Sequence, residues 1–346
     1  NTMTRDMSDR IKFVGFIMTI FIVIYHCQYH FDSVNVIDER INTTVISFAE
    51  SLAYIALCWF FSTSGFLLFR TLSMKNYTEK VKKRAFTLLL PFAIWEAVTV
   101  ALNTVILLLA HKSPDPLQIL RKMLGVIILR DWPLDTALWY IYVLFFWTLL
   151  SPILLLVFSN KKVGWCATVA VTFAIYIFSA TKNVLFEKIT SYGYMWSILT
   201  YFPAFMIGAF MGRFSEDSDG TDKMKYVLSL IILALALEIG FPGITAKTIA
   251  KILPTLLLYF TPMIPAVRDR KIYHLSFMIY AIHKPMSIIK DYMLKFFFKI
   301  SPYTSVANIA VRIIFPIFIV ALATVAYKVI QRISPKLLRA VTGGRV

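Results

Sequence analysis

Apolar positions along this chain fall into long runs separated by short polar gaps. The first, residues 12–30 (KFVGFIMTIFIVIYHCQYH), spends its polarity at one end, on His26, Cys27, Gln28 and His30. Further runs lie near 44–69, 85–110, 137–158, 163–180, 194–214, 226–241, 245–267, 272–292 and 306–330. Such a run crosses a bilayer as a helix, because only a helix satisfies its own backbone polar groups where no water is available. The pattern predicts an all-α polytopic membrane protein of about ten transmembrane helices, with 1–346 as a single domain. Residues 117–129, too short to cross and carrying Arg121 and Lys122 on one side, read as an interfacial helix. Pro203, Pro254, Pro262, Pro285 and Pro316 fall inside runs and are expected to kink helices rather than end them.

Composition agrees with the pattern, at 58% hydrophobic and only 16% charged residues. A net charge of +17 on a soluble chain would suggest nucleic acid, but here the basic residues sit in the gaps between runs. No nucleic-acid partner is therefore expected, and the charge is read as topology. With an even span count, 22 Lys and Arg fall on the side of the two termini against 13 on the other, with Arg312 inside the last run. That bias puts both termini in the cytoplasm of a multi-pass cell-membrane protein, with anionic lipid heads as neighbours and His26 toward the outer face. No charged leader with a short apolar core and a small-residue cleavage site opens the chain, so the first helix is expected to be retained. Cys27, Cys58 and Cys166 form no ligand spacing.

His26 lies roughly 21 Å along the first span when counted from Lys12, beyond the middle of a core about 30 Å thick. A titratable group at that depth is a functional candidate, against the plainer reading of a histidine at a helix end touching water. His26 and His30 have a spacing that metals use, but no third ligand recurs nearby, so no metal is expected. Glu96, Glu238, His283 and Arg312 also interrupt apolar runs. Glu96 is expected to pair with a group on the first or ninth helix, either for chemistry or as an interhelical hydrogen bond; His283, followed by Lys284 and Pro285, marks either a site or a helix break. The basic segment 70–84 (RTLSMKNYTEKVKKR) suits phosphates, a topology signal or lipid heads. Before it, hydroxyls and Gly65 in FFSTSGFLLF interrupt a strongly apolar helix, a pattern that helix packing alone also produces.

FIVIYH, WFFSTSGFLLF, KKRAFTLLLPFAIW, LWYIYVLFFWTLLSP, YFPAFMIGAFMG and LSFMIYAIHKP, in that order and spacing, resemble the acyltransferase-3 family of integral membrane acyltransferases, which O-acylate bacterial polysaccharides and related surface molecules. The resemblance covers most of the chain. It implies an acyl-coenzyme A donor, most often acetyl, on the cytoplasmic side and a glycan or glycolipid hydroxyl as acceptor. It implies His26 as general base, since an alcohol is a poor nucleophile and imidazole titrates in the right range. Glu96 and His283 are further catalytic candidates. Arg84 matches the first arginine of the family's third-helix basic motif and would pair with donor phosphates, with Lys80, Lys82, Lys83, Ser62 and Ser64 beside it. The chain departs from the family pattern at three places. Gly15 stands where many members carry arginine, Leu88 where the second third-helix arginine falls, and Leu144 where many have glutamate. Those losses leave a second reading open, a transporter of a small solute or lipid-linked sugar, because the same scaffold occurs in membrane domains fused to amino-acid racemases.

Overall fold

The computed structural model describes residues 3–28, 33–214 and 220–344; His30 lies outside them. The described residues form helices and connecting turns. In chain order these are α1 (Arg5–Tyr25), α2 (Val36–Phe69), α3 (Tyr77–Arg84), α4 (Leu90–Leu109), α5 (Pro116–Ile127), α6 (Trp139–Val157), α7 (Lys161–Ala180) and α8 (Val184–Thr190). They continue with α9 (Met195–Arg213), α10 (Gly220–Leu237), α11 (Ile244–Phe260), α12 (Ser276–Ile282), α13 (Ser287–Ile300), α14 (Thr304–Ile333) and α15 (Pro335–Thr342). Six stretches among the described residues are long and apolar enough to cross a membrane: α2, Met74–Leu109, α6, α7, α9 and α14. The other expected spans fall on α1, α10, α11 and the α12–α13 pair, which are shorter or more charged.

Apolar side chains face both inward and outward. In α4 the buried stripe is Pro91, Trp95, Glu96 and Thr99, while Val98, Val105, Leu108 and Leu109 are exposed. A helix with polar groups inward and apolar groups outward suits lipid as its solvent. Amphipathic α5 exposes Leu117, Leu120, Leu124 and Ile127 on one face, as an interfacial helix does. The spine is the α2–α9 pair. A Cβ added at Gly208 would fall on the Ser62 carbonyl, one at Gly212 on that of Phe66, and one at Gly65 on that of Phe205. Small residues let these two backbones touch.

Polar brackets fix both ends of the bundle. At the terminus side Arg10 donates to the carbonyls of Tyr259 (2.8 Å) and Thr261 (2.9 Å), capping the carbonyl end of α11. Lys12 pairs with Asp269 at 3.2 Å and Arg268 with Asp6 at 2.9 Å. At the far side Asp38 accepts from the Ser305 N–H (2.9 Å) and the Thr304 hydroxyl (2.6 Å), tying the start of α2 to the start of α14. Pro203, Pro254 and Pro316 sit inside continuous helices as expected. Pro262 and Pro285 do not: α11 stops at Phe260 before the first, and α12 and α13 are separate helices around the second. Proline has no N–H to continue the ladder and clashes with the preceding turn, and here the chain turns instead of kinking.

Candidate active site

The first helix ends at Tyr25, so His26 is its C-cap, its N–H still bonded to the Ile22 carbonyl at 3.1 Å. Lys290 on α13 holds this end by donating to the Gln28 carbonyl at 3.2 Å. His26 therefore sits at a helix end, as the plainer reading had it, but packed among aromatics rather than left in open water. Its ring lies edge-on to Tyr25 (4.9 Å) and 5.0 Å from the ring of His283. His283 is placed by the break at Pro285: it caps α12, is buried, and its Nδ1 is 2.6 Å from the Tyr280 carbonyl. A carbonyl only accepts, so Nδ1 carries the proton and Nε2 carries the lone pair. That Nε2 is buried and has no hydrogen-bond partner among the described residues.

Two cavities stand end to end along the helices. One of about 420 Å³ is lined by Tyr25, His26, Glu50, Tyr54, Trp139 and Tyr201, among others. The other, about 640 Å³, carries Lys12, Lys80, Lys83 and Arg84 together with Thr63, Ser64 and Tyr140. On α1 the larger cavity takes Ile11, Lys12, Gly15 and Thr19, and the smaller takes Ile22, Tyr25 and His26. Antiparallel α2 gives Glu50, Ala53, Tyr54 and Leu57 to the smaller and Trp59, Phe60, Thr63, Ser64, Leu67 and Leu68 to the larger. Tyr280 lines both.

The basic cavity is built by one irregularity. After Arg84 the chain makes a π-helical turn, Ala85–Leu89, before α4 begins at Leu90 with Pro91 in its first turn. The widened turn brings Thr87 and Leu88 to the cavity wall beside Arg84, whose Nη2 donates to the Ser64 carbonyl at 3.3 Å. Ser64 Oγ meets the Tyr140 hydroxyl at 3.1 Å. Lys80, Lys83 and Arg84, spaced i, i+3, i+4, share the face of α3 that borders the cavity, whereas Lys82 is outside the lining. Ser62, two residues from Ser64, points the other way, buried against α9. Glu96 lines neither cavity; its carboxylate accepts from the Leu134 and Asp135 N–H groups, each at 2.9 Å, and holds that loop rather than a group on the first or ninth helix. Glu238 likewise binds backbone, the N–H groups of Gly243 and Thr245. The three departures, Gly15, Leu88 and Leu144, all converge on the basic cavity.

A bundle of lipid-facing helices, with a cationic cavity at one end and, in the next, a histidine backed by a second one, has the build of a membrane-embedded group-transfer protein. A family model described as an acyltransferase domain matches residues 11–328, and the chain belongs to this acyltransferase-3 family. No curated protein and no solved structure matches the chain.

Proposed function

We propose that the chain is an O-acyltransferase that moves an acyl group from acyl-coenzyme A in the basic cavity to a hydroxyl of a cell-surface glycan or glycolipid in the smaller one. The observation that carries this reading is the pair of cavities meeting at one residue, cations in the first and His26 in the second. Arg84, Lys83 and Lys80, with Lys12 opposite, give phosphates a fork and several point charges. Rings such as Tyr54, Trp139 and Tyr201, with the Glu50 carboxylate, give a sugar both flat apolar faces and polar edges.

In the transfer, His26 takes the hydroxyl proton as the acceptor oxygen attacks the thioester carbonyl. A C–O bond forms, the C–S bond breaks, and the imidazolium returns its proton to the leaving thiolate, giving an ester and the free thiol of coenzyme A. The lone pair on His283 Nε2 suits it to hold the other nitrogen of His26 as a donor, orienting the base and stabilising its charged form. In this reading Glu96, Ser62 and Lys82 have structural or surface places. The four further helices complete ten spans, and both termini are cytoplasmic. Binding of acetyl-coenzyme A to the purified protein tests the donor half; absence of any binding would remove the reading.

A further inference from the structure

The donor reading leaves open which acyl group is carried. Among the described residues Tyr280 alone lines both cavities. The last α1 residue on the basic cavity is Thr19 and the first on the other is Ile22, so the partition is only about 4.5 Å of helix rise. A donor held by its phosphates at Arg84 must bring its thioester to this partition to meet a hydroxyl next to His26. Whatever follows the carbonyl then lies against the Tyr280 ring.

That ring is fixed from several directions. Its hydroxyl donates to the Ala137 carbonyl, and its own carbonyl takes the His283 Nδ1 proton. The ring stands edge-on to Tyr140 at 6.3 Å and 5.9 Å from His283, with only 7% of the residue exposed. Around it Ala137 on the smaller cavity and Ile141 and Phe277 on the larger are themselves buried. Resting on the acyltransferase reading, we propose that Tyr280 is the specificity-determining residue that sets the length of the transferred acyl group. It admits an acetyl-sized group and turns away medium chains.

The test measures dissociation constants of coenzyme A and its acetyl, butyryl, hexanoyl and octanoyl thioesters with the full chain by titration calorimetry. Wild type should bind the hexanoyl thioester at least about tenfold more weakly than the acetyl one, the scale on which a pocket wall discriminates by size. Tyr280→Ala and Tyr280→Leu should bring the two together, and Tyr280→Phe, which keeps the ring, should retain the wild-type profile. The leucine variant decides the matter should the alanine variant not fold. A flat wild-type profile, or a length profile unchanged in both small variants, overturns the inference while leaving the donor reading standing. No binding of coenzyme A or any thioester by wild type overturns both.

Discussion

The rings of His26 and His283, residues from the first helix and from the break after α12, lie 5.0 Å apart, and the His283 Nδ1 is committed to the Tyr280 carbonyl. In the proposed reaction His26 is the base and His283 its positioning residue, and the two roles separate kinetically. His26→Ala and His26→Gln should both lose turnover by about a hundredfold to ten-thousandfold, since glutamine keeps hydrogen bonds but takes no proton near neutral pH. Coenzyme A affinity should stay near wild type, because His26 is outside the basic cavity. His283→Gln, which can still accept a hydrogen bond, should retain more activity than His283→Ala. Acyl-transfer rates and calorimetry on the same preparations check this; full activity in His26→Ala would remove the mechanism.

Arg84 lines the basic cavity and bonds the Ser64 carbonyl, while Lys75 and Lys82 are exposed outside the lining. A charge-assisted hydrogen bond is worth about 1.5–3 kcal/mol, so Arg84→Ala should weaken coenzyme A binding about tenfold to a hundredfold. Lys75→Ala and Lys82→Ala should leave it within about twofold, as solvent-exposed charges contribute little. Titration calorimetry measures all three. Equal effects at the three positions would return the basic segment to a topology or lipid signal.

The site was partly legible in the residues and partly not, for reasons of geometry. Run length and polarity locate the spans, and a histidine in an apolar run stands out because water is scarce there. Helical spacing separates Lys80, Lys83 and Arg84 from Lys82, and Ser64 from Ser62, yet periodicity alone does not say which face turns toward the cavity; the packing of α2 on α9 decides that. His26 and His283 come together only through tertiary contacts between α1 and α12. The role of Glu96 was hidden for another reason: its partners are backbone N–H groups of a loop, which have no side-chain signature. Tyr280 belongs to the LSFMIYAIHKP motif, but its place between two cavities is set only when α12 packs beside both.

Ile11 and Lys12 at the start of the chain and Gly343 near its end line the same cavity, so both ends emerge on one side of the bundle. In the proposed topology, which rests on the Lys/Arg bias, that side faces the cytoplasm. Tags at either terminus should therefore be labelled by an impermeant reagent only after the cells are opened. Labelling of either tag in intact cells would reverse the orientation and put the basic cavity away from cytoplasmic coenzyme A.

Asp135, in the loop between α5 and α6, gives a pH signature independent of any ligand. Burial pushes its carboxyl up to about 8; the hydrogen bond from the Ala137 N–H opposes the shift and the neighbouring Glu96 charge adds to it. One carboxyl oxygen, Oδ2, is buried with no partner among the described residues, as suits a site that favours the neutral acid. In the unfolded chain the group ionises near about 3.9, so between that pH and about 8 the folded state holds a proton that the unfolded state does not. The contribution to stability is then fully present at low pH, shrinks as pH rises through this window and levels off above the folded value. Asp135→Asn is nearly isosteric and cannot ionise, so it should lack this loss. Thermal unfolding in one detergent across the pH range should show wild type falling behind Asp135→Asn up to about pH 8 and running parallel above it. Parallel curves throughout would mean that the folded protein ionises Asp135 as readily as the unfolded chain does.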